Sequence, residues 1–249
     1  MNILKHILFA IYSISWYYRN YFELKNYFNK CKISNYKIEY FHLWKPHAQY
    51  FSGYCNKNKQ KVFIKFSDEY YIKREFEAIS ILNEQDSVIN YFPIILNHQI
   101  NSKISNIVFQ YINGTPLNII LKKNIKFSEI FILGIVDKFE KIIIKLHSCN
   151  FIHRDVRPHN IIIDEKGSLH LIDFTYLIDI QKNNRYLFEL PLNSKNRKIL
   201  LRLGNGYNKY SGFWDDAFSF MEILSDLGAN DLSKSKISKY LGRLTCTLS

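Results

Sequence analysis

Glycine is scarce in this chain. It accounts for nine of 249 residues, and between the first predicted strands Gly53 stands alone. No G-x-G-x-x-G loop is therefore present there to wrap phosphate groups in backbone N–H donors. Cysteine is scarcer still: Cys31, Cys55, Cys149 and Cys246 form no C-x-x-C pair, which argues against a zinc site or a thioredoxin-like site. So few cysteines in a chain of this length do not make a disulfide scaffold, and a reducing cytoplasm fits them. No apolar run reaches the ~20 residues that a membrane-spanning helix needs. No internal repeat or long low-complexity tract is found. Acid is in deficit: 22 Asp and Glu face 34 Lys and Arg, for a formal net charge of +12. That balance favours an anionic partner such as a phosphorylated substrate or a membrane surface. A whole-chain bias toward Lys, Ile and Asn gives the same balance. The basic residues are scattered and form no nucleic-acid motif, so no nucleic-acid partner is expected.

What the chain does have is apolar and aromatic side chains in quantity, 47% hydrophobic and 16% aromatic, enough to bury a core. Residues 1–36 read as one or two helices ahead of the main domain. Within them the run ILFAIYSISWYY, from Ile7 to Tyr18, is too short to cross a bilayer. Lys5, His6, Arg19 and Lys25 flank it, and Trp16, Tyr17, Tyr18 and Tyr21 suit the headgroup level. Three readings stand: a helix packed on the domain, a membrane-surface anchor, or an exported leader. The last lacks a small-residue cleavage site.

From Lys37 the pattern turns to short strands, KIEYFHLW, QYFSGYC and KVFIKF, separated by KPHA and NKNKQ. A helix is predicted from near Ser67, with Asp68 and Glu69 in its first turn where the dipole favours acid. Two further strands fall around ILNHQI and SNIVFQYI, with a turn at Asn101 and Ser102. Asn113, Gly114 and Pro116 then mark a boundary. Beyond it, Ile130, Leu133, Val136, Phe139, Ile143 and Leu146 give Ser128–His147 helical periodicity. A hairpin follows, NIIID turning at EKG into SLHLIDF. Shorter helices are predicted over Ser194–Leu203, stopped by Gly204, and from about Asp215 to Leu227. The expected class is α+β, with a strand-rich region at 37–113 and a helical region at 114–249.

The stretch FIHRDVRPHNIIIDEKGSLHLIDF, residues 151–174, carries the chemistry. Phosphoryl transfer from a nucleotide needs a carboxylate to orient the attacking hydroxyl and take its proton. It also needs oxygen ligands for Mg²⁺ and cations on the phosphates. Asp155 and Asn160 would share the loop after the long helix. The hairpin, closed at Gly167, would return Asp173 beside Asn160, and both supply oxygens of the kind Mg²⁺ prefers.

His153 to Asn160 complete an H-R-D-x-x-x-x-N, preceded by Leu146-His147 and followed by Asp173-Phe174. In this the chain resembles the protein-kinase-like superfamily over roughly residues 37–230. The resemblance implies a bilobal fold, with a small β-rich N-lobe, a helical C-lobe and an N-terminal helical extension. It implies ATP and Mg²⁺ as cofactors, Asp155 as catalytic base, and Asn160 and Asp173 as metal ligands. It places Lys65, in Val62-Phe63-Ile64-Lys65, on the nucleotide phosphates. Glu75 and Glu77 compete to pair with Lys65. Glu75 shares its helix face with Ile72, Ile79 and Leu82, so that face should turn inward and Glu75 is the expected partner. Backbone groups of Gln110, Tyr111 and Ile112 would bind the adenine edge, and Asp216 would brace the catalytic loop. Arg157 stands where many protein kinases place a Lys near the transferred phosphoryl group, and Arg can hold phosphate bidentately. His159 reads as a turn residue or a substrate contact, and Lys195, Arg197, Lys198 and Arg202 as a solvated face or an anion contact.

The chain departs from the family pattern in several places. Besides the missing glycine loop, D-F-G reads Asp173-Phe174-Thr175, no A-P-E follows, and Glu75 comes only ten positions after Lys65. The last two features look more like bacterial kinases of lipopolysaccharide core sugars, or other sugar kinases. The expected function is therefore phosphorylation of a hydroxyl on a sugar of lipopolysaccharide or another cell-surface glycan, with a lipid-linked acceptor among the options. It would take place in the cytoplasm or at the cytoplasmic face of the membrane. The alternatives are a Ser/Thr/Tyr protein kinase and a pseudokinase scaffold. The missing glycine loop favours the scaffold, while the intact Lys65, Asp155, Asn160 and Asp173 oppose it.

Overall fold

A computed structural model of the chain describes residues 3–39, 48–84, 91–100, 103–123, 126–181 and 194–248. It divides into two compact units, Met1–Glu77 with Ile94–Tyr111, and Ala78–Pro93 with Ile112–Ser249. The first is rich in strand and the second in helix, a mixed α+β class.

In the first unit α1 (Ile3–Arg19) and α2 (Tyr21–Lys30) precede β1 (Ile33–Ile38), β2 (Ala48–Cys55) and β3 (Gln60–Ser67). Helix α3 (Glu69–Glu84) follows, and β4 (Ile95–Gln99) and β5 (Asn106–Gln110) complete an antiparallel sheet in the order β1-β2-β3-β5-β4. The period-2 alternation of β3 sends Val62, Ile64 and Phe66 to one face, where they bury against Leu24, Tyr27 and Phe28 of α2. Phe28 stands edge-on to Phe51 and Phe66, a favourable aromatic geometry. Lys65 lies on the opposite face, paired in register with Tyr50.

The first strand begins at Ile33, four residues before the position expected from pattern. Lys32 and Asn35 take left-handed φ values of 55° and 50°. They turn the chain out of α2 and put an irregularity into the β1–β2 register between Ser34 and Lys37. Pattern reading misses such a strand, because a break in the alternation hides its start. Residues 40–47, which include Trp44-Lys45-Pro46-His47, lie outside the described residues, as does the turn at Asn101 and Ser102.

The second unit is built on α5 (Glu129–Ser148), which follows β6 (Gly114–Pro116) and the short α4 (Leu117–Leu121). Ser128 caps α5 by accepting the Phe131 N–H at 3.2 Å. Its buried stripe includes Ile132, Val136, Phe139, Ile143 and Leu146. Next come β7 (Phe151–Ile152), β8 (Ile161–Asp164), β9 (Leu169–Leu171) and β10 (Ile178–Asp179). Strand β6 joins the predicted β8–β9 hairpin as a third strand, and β10 pairs with β7. Helix α6 (Ser194–Leu200) is followed by β11 (Phe213–Trp214), α7 (Asp216–Asp226), α8 (Asp231–Ser238) and β12 (Cys246–Thr247). Phe139 of α5 packs on Phe220 of α7 with ring centres 4.4 Å apart.

Docking of α2 on the sheet should be readable by truncation. Phe28→Ala should cost about 3–5 kcal/mol of stability, as expected for a fully buried aromatic ring. Phe22→Ala, on the exposed side of the same helix, should change it by no more than about 0.5 kcal/mol. Chemical denaturation of the two variants checks the contrast.

Candidate active site

The turn from β7 to β8 is organised by buried polar groups. Asp216, at the start of α7, accepts the His153 N–H at 2.6 Å on one carboxylate oxygen and the Arg154 N–H at 3.2 Å on the other. Burial pushes the Asp216 carboxyl up to about 7, against the pull of those two N–H donors. The preceding residue, Asp215, caps α7 through the Ala217 and Phe218 N–H groups and also accepts the Gly242 N–H at 2.8 Å. Two adjacent carboxylates thus tie the loop, the helix and the chain's last turns together.

Each residue of the H-R-D stretch then has a distinct task. The His153 ring lies 3.1 Å from the Ile172 carbonyl through Nε2 and 3.3 Å from the Asp155 N–H through Nδ1. A carbonyl can only accept, so Nε2 carries the proton and the neutral imidazole bridges the two strands of the loop. Arg154 takes a left-handed φ of 67°. Its Nε donates to the Tyr176 carbonyl at 2.6 Å, and its guanidinium lies 5.3 Å from the centre of the Trp214 ring. Both groups act inside the unit and hold the segment after Asp173.

Asp155 is buried, and both its carboxylate oxygens are held. Oδ1 accepts the Gly204 N–H at 2.9 Å, and Oδ2 accepts the Asn160 side-chain amide at 2.8 Å. Arg157 Nη2 stands 3.2 Å from Oδ2. Asn160 also donates to the Asp155 carbonyl at 2.9 Å. Its NH₂ is thus committed, and its side-chain oxygen is the atom left to act as a ligand. The Ile172 N–H donates to the Asn160 carbonyl at 2.9 Å, so the hairpin delivers Asp173 one residue beyond that clasp. Asp173 sits at φ 68° and accepts the Thr175 hydroxyl at 2.6 Å. The threonine in place of the usual glycine is accommodated because residues 174–176 form a 3₁₀ turn, and the positive φ falls on Asp173 instead. Among the described residues no three His, Cys, Asp or Glu side chains cluster as a metal cage. One carboxylate and one amide oxygen suit Mg²⁺, which is usually held by a carboxylate or two plus substrate phosphates and water.

In the first unit Lys65 and Glu75 form a buried ion pair. Glu77 is only half-buried, so the apolar face did mark the inward acid. Arg74, next to Glu75 on α3, is buried as well, with Nη1 3.4 Å from the Tyr70 hydroxyl. The Gln110 N–H donates to Ile94 O at 2.9 Å and the Tyr111 N–H to Lys61 O at 3.2 Å. Those two donors are spent within the sheet, and a base edge would be read by their carbonyls or by Ile112. Gly53 serves packing: a Cβ there would lie 2.7 Å from Ile33 Cγ2.

The remaining candidates are less engaged. His159 is held below the usual imidazole range by partial burial, then by Arg157 and Lys122. Arg197, Lys198 and Arg202 are exposed, and the side chain of Lys195 lies outside the described residues. Sequence reading missed Gly204 as a partner of Asp155, having read it only as a helix stop. The two are 49 positions apart and no local signal links them.

The protein kinase domain family matches residues 48–193. The chain is similar to casein kinase II subunit alpha' of Saccharomyces cerevisiae, 30% identical over 154 residues, which are 57% of this chain and 42% of that protein. It is similar to serine/threonine-protein kinase 32C of Mus musculus, 26% identical over 188 residues, 72% of this chain and 37% of that protein. It is also similar to serine/threonine-protein kinase pakC of Dictyostelium discoideum, 29% identical over 110 residues, 43% of this chain and 22% of that protein. In each case the match spans less than half the relative's length.

Asp216→Ala should leave two buried N–H groups without an acceptor, at about 1–3 kcal/mol each, and denaturation should show the loss. Gly204→Ala should act on function more than on fold. Gly204 has φ 73°, a left-handed backbone that alanine adopts only under strain, so relief of that strain is expected to shift the N–H that Asp155 accepts. Turnover should fall about ten- to a hundredfold, while nucleotide affinity stays close to that of the parent.

Proposed function

Taking as premise that the chain belongs to the protein kinase family, we propose that it is a serine/threonine protein kinase working with ATP and Mg²⁺. The observation that carries this is the state of Asp155: a buried carboxylate fixed by Gly204, Asn160 and Arg157 at both oxygens. A carboxylate held in this way orients an acceptor hydroxyl and takes its proton as the bond to the γ-phosphorus of ATP forms and the bond from that phosphorus to the departing ADP oxygen breaks. Among the described residues the buried Nε of Arg157 has no hydrogen-bond partner, and it is a donor suited to an oxygen of the transferred group. Asn160 and Asp173 would hold Mg²⁺, which when bound would offset charge on the phosphate oxygens. Lys65, kept in place by Glu75, is the cation of the first unit suited to a nucleotide phosphate.

The acceptor is argued from the relatives. Of those compared above, two are named serine/threonine-protein kinases and the third a casein kinase subunit, and this favours a protein hydroxyl over the sugar hydroxyl expected from the short Lys65–Glu75 interval and the missing A-P-E. A scaffold that has lost catalysis fits poorly with an Asp155 held at both oxygens and a formed Lys65–Glu75 pair.

Incubation with γ-labelled ATP and, in parallel, a mixture of unphosphorylated proteins and a membrane-glycan fraction tests the acceptor. Label should enter protein as phosphoserine or phosphothreonine. Label confined to the glycan fraction would return the reading to a sugar kinase. Calorimetry with Asp173→Ala tests the metal site: Mg²⁺-dependent nucleotide binding should be lost, and binding equal to the parent's would remove Asp173 from that role.

A further inference from the structure

Helix α1 has two contrasting sides. Ser13 is buried, Trp16 stacks toward Phe66 at 5.9 Å and Tyr17 toward Phe51 at 6.3 Å, so this side is seated on the sheet of its own unit. The opposite side should be polar if it met only water. It is not. Ile7 is 50% exposed, Leu8 56%, Ile11 57%, Ile14 51% and Tyr18 73%. At about 100° per residue these five fall within an arc of roughly 120°, which also holds the exposed Ser15, so they form a largely apolar stripe along the outside of a docked helix.

Helix α1 itself carries charge of one sign, and the first acid after it, Glu23, pairs with Lys103. From Ile3 to Phe22 the sequence contains Lys5, His6 and Arg19 and no Asp or Glu, and Lys25 follows on α2. Arg19 and Lys25 are exposed. Phe22, 75% exposed, adds an aromatic ring at the start of α2. Among the described residues no helix is long and apolar enough to cross a membrane. We infer that α1 is a membrane-surface helix, lying along a bilayer of anionic phospholipid with Ile7, Leu8, Ile11, Ile14 and Tyr18 in the acyl boundary and the basic residues at the headgroups. An amphipathic helix with basic residues beside its apolar stripe is the chemistry that such a surface binds. A second copy of the chain is the poorer occupant. It would bring two acid-free basic helices together with nothing on either to offset the other, and the stripe is wider than the narrow seam of a paired helix.

The test is sedimentation of the full chain with vesicles of phosphatidylcholine alone or mixed with phosphatidylglycerol. The chain should sediment with the mixed vesicles and only weakly with the neutral ones. Added salt should weaken binding without ending it, because the apolar part is insensitive to salt. The double variant Ile11→Glu/Ile14→Glu should lose at least about tenfold in partition. Both side chains face solvent, so its denaturation midpoint should match the parent's. Arg19→Glu, which touches no packing, should weaken binding to the anionic vesicles alone, and it decides the matter if the double variant does not fold. Parent protein left in the supernatant, equal partition onto both vesicles, or a double variant that folds and binds as well as the parent would each overturn the inference. A lipid-free dimer that the double variant dissolves would assign the stripe to self-association instead.

Discussion

Two backbone N–H groups in a tight turn, those of His153 and Arg154, need an acceptor in the interior, and the Asp216 carboxylate is that acceptor. The rest of the loop depends on it. Once the turn is fixed, Arg154 can sit at a left-handed φ with its guanidinium against Trp214. The His153 ring can bridge Ile172 and Asp155, and the Asp155 carboxylate meets Gly204 and Asn160. The arrangement works against desolvation, which pushes Asp216 up to about 7. A buried polar network stabilises one geometry only when its members are satisfied together. That is why a single acceptor can govern so many others.

The first unit has a different kind of support. Lys65 and Glu75 are ten residues apart, which leaves a turn of a single residue between β3 and α3. A short connection still allows the pair because α3 turns its Ile72–Glu75–Ile79 face inward. A buried ion pair of this kind is weak evidence for stability, since desolvation offsets much of its attraction. Its value lies in holding a cation at one place. The threonine at position 175 makes the same point about substitution. Flexibility expected of glycine is not needed there, because Asp173 itself takes the left-handed backbone and the Thr175 hydroxyl secures its carboxylate.

The parts of this site that could be read from sequence are the local ones. Asp155, Asn160 and Asp173 are legible because their chemistry demands particular residue types, and a hairpin of fixed length sets their spacing. Glu75 is legible because one helix face is more apolar than the other. Gly204 was not, because its bond to Asp155 joins segments that only the tertiary fold brings together. The start of β1 was hidden by left-handed residues at Lys32 and Asn35 that break the alternation. The N-terminal run left three readings open, and the structure shows why. The helix is both packed, through Trp16 and Tyr17, and apolar on the side that remains exposed. Hydrophobic periodicity alone could not divide one apolar run between two surfaces.

The claim on which the account rests is that Asp155 is held in place to act on an acceptor hydroxyl, and single-turnover phosphoryl transfer by Asp155→Asn under saturating nucleotide measures it most directly. The amide keeps the size of the carboxylate but cannot take a proton, and it meets a donor at Gly204 or Asn160, so a denaturation curve must accompany the rate. The account predicts a folded protein that binds nucleotide nearly as the parent does and transfers phosphate at least about a hundredfold more slowly. A folded variant that transfers at the parent's rate would contradict it.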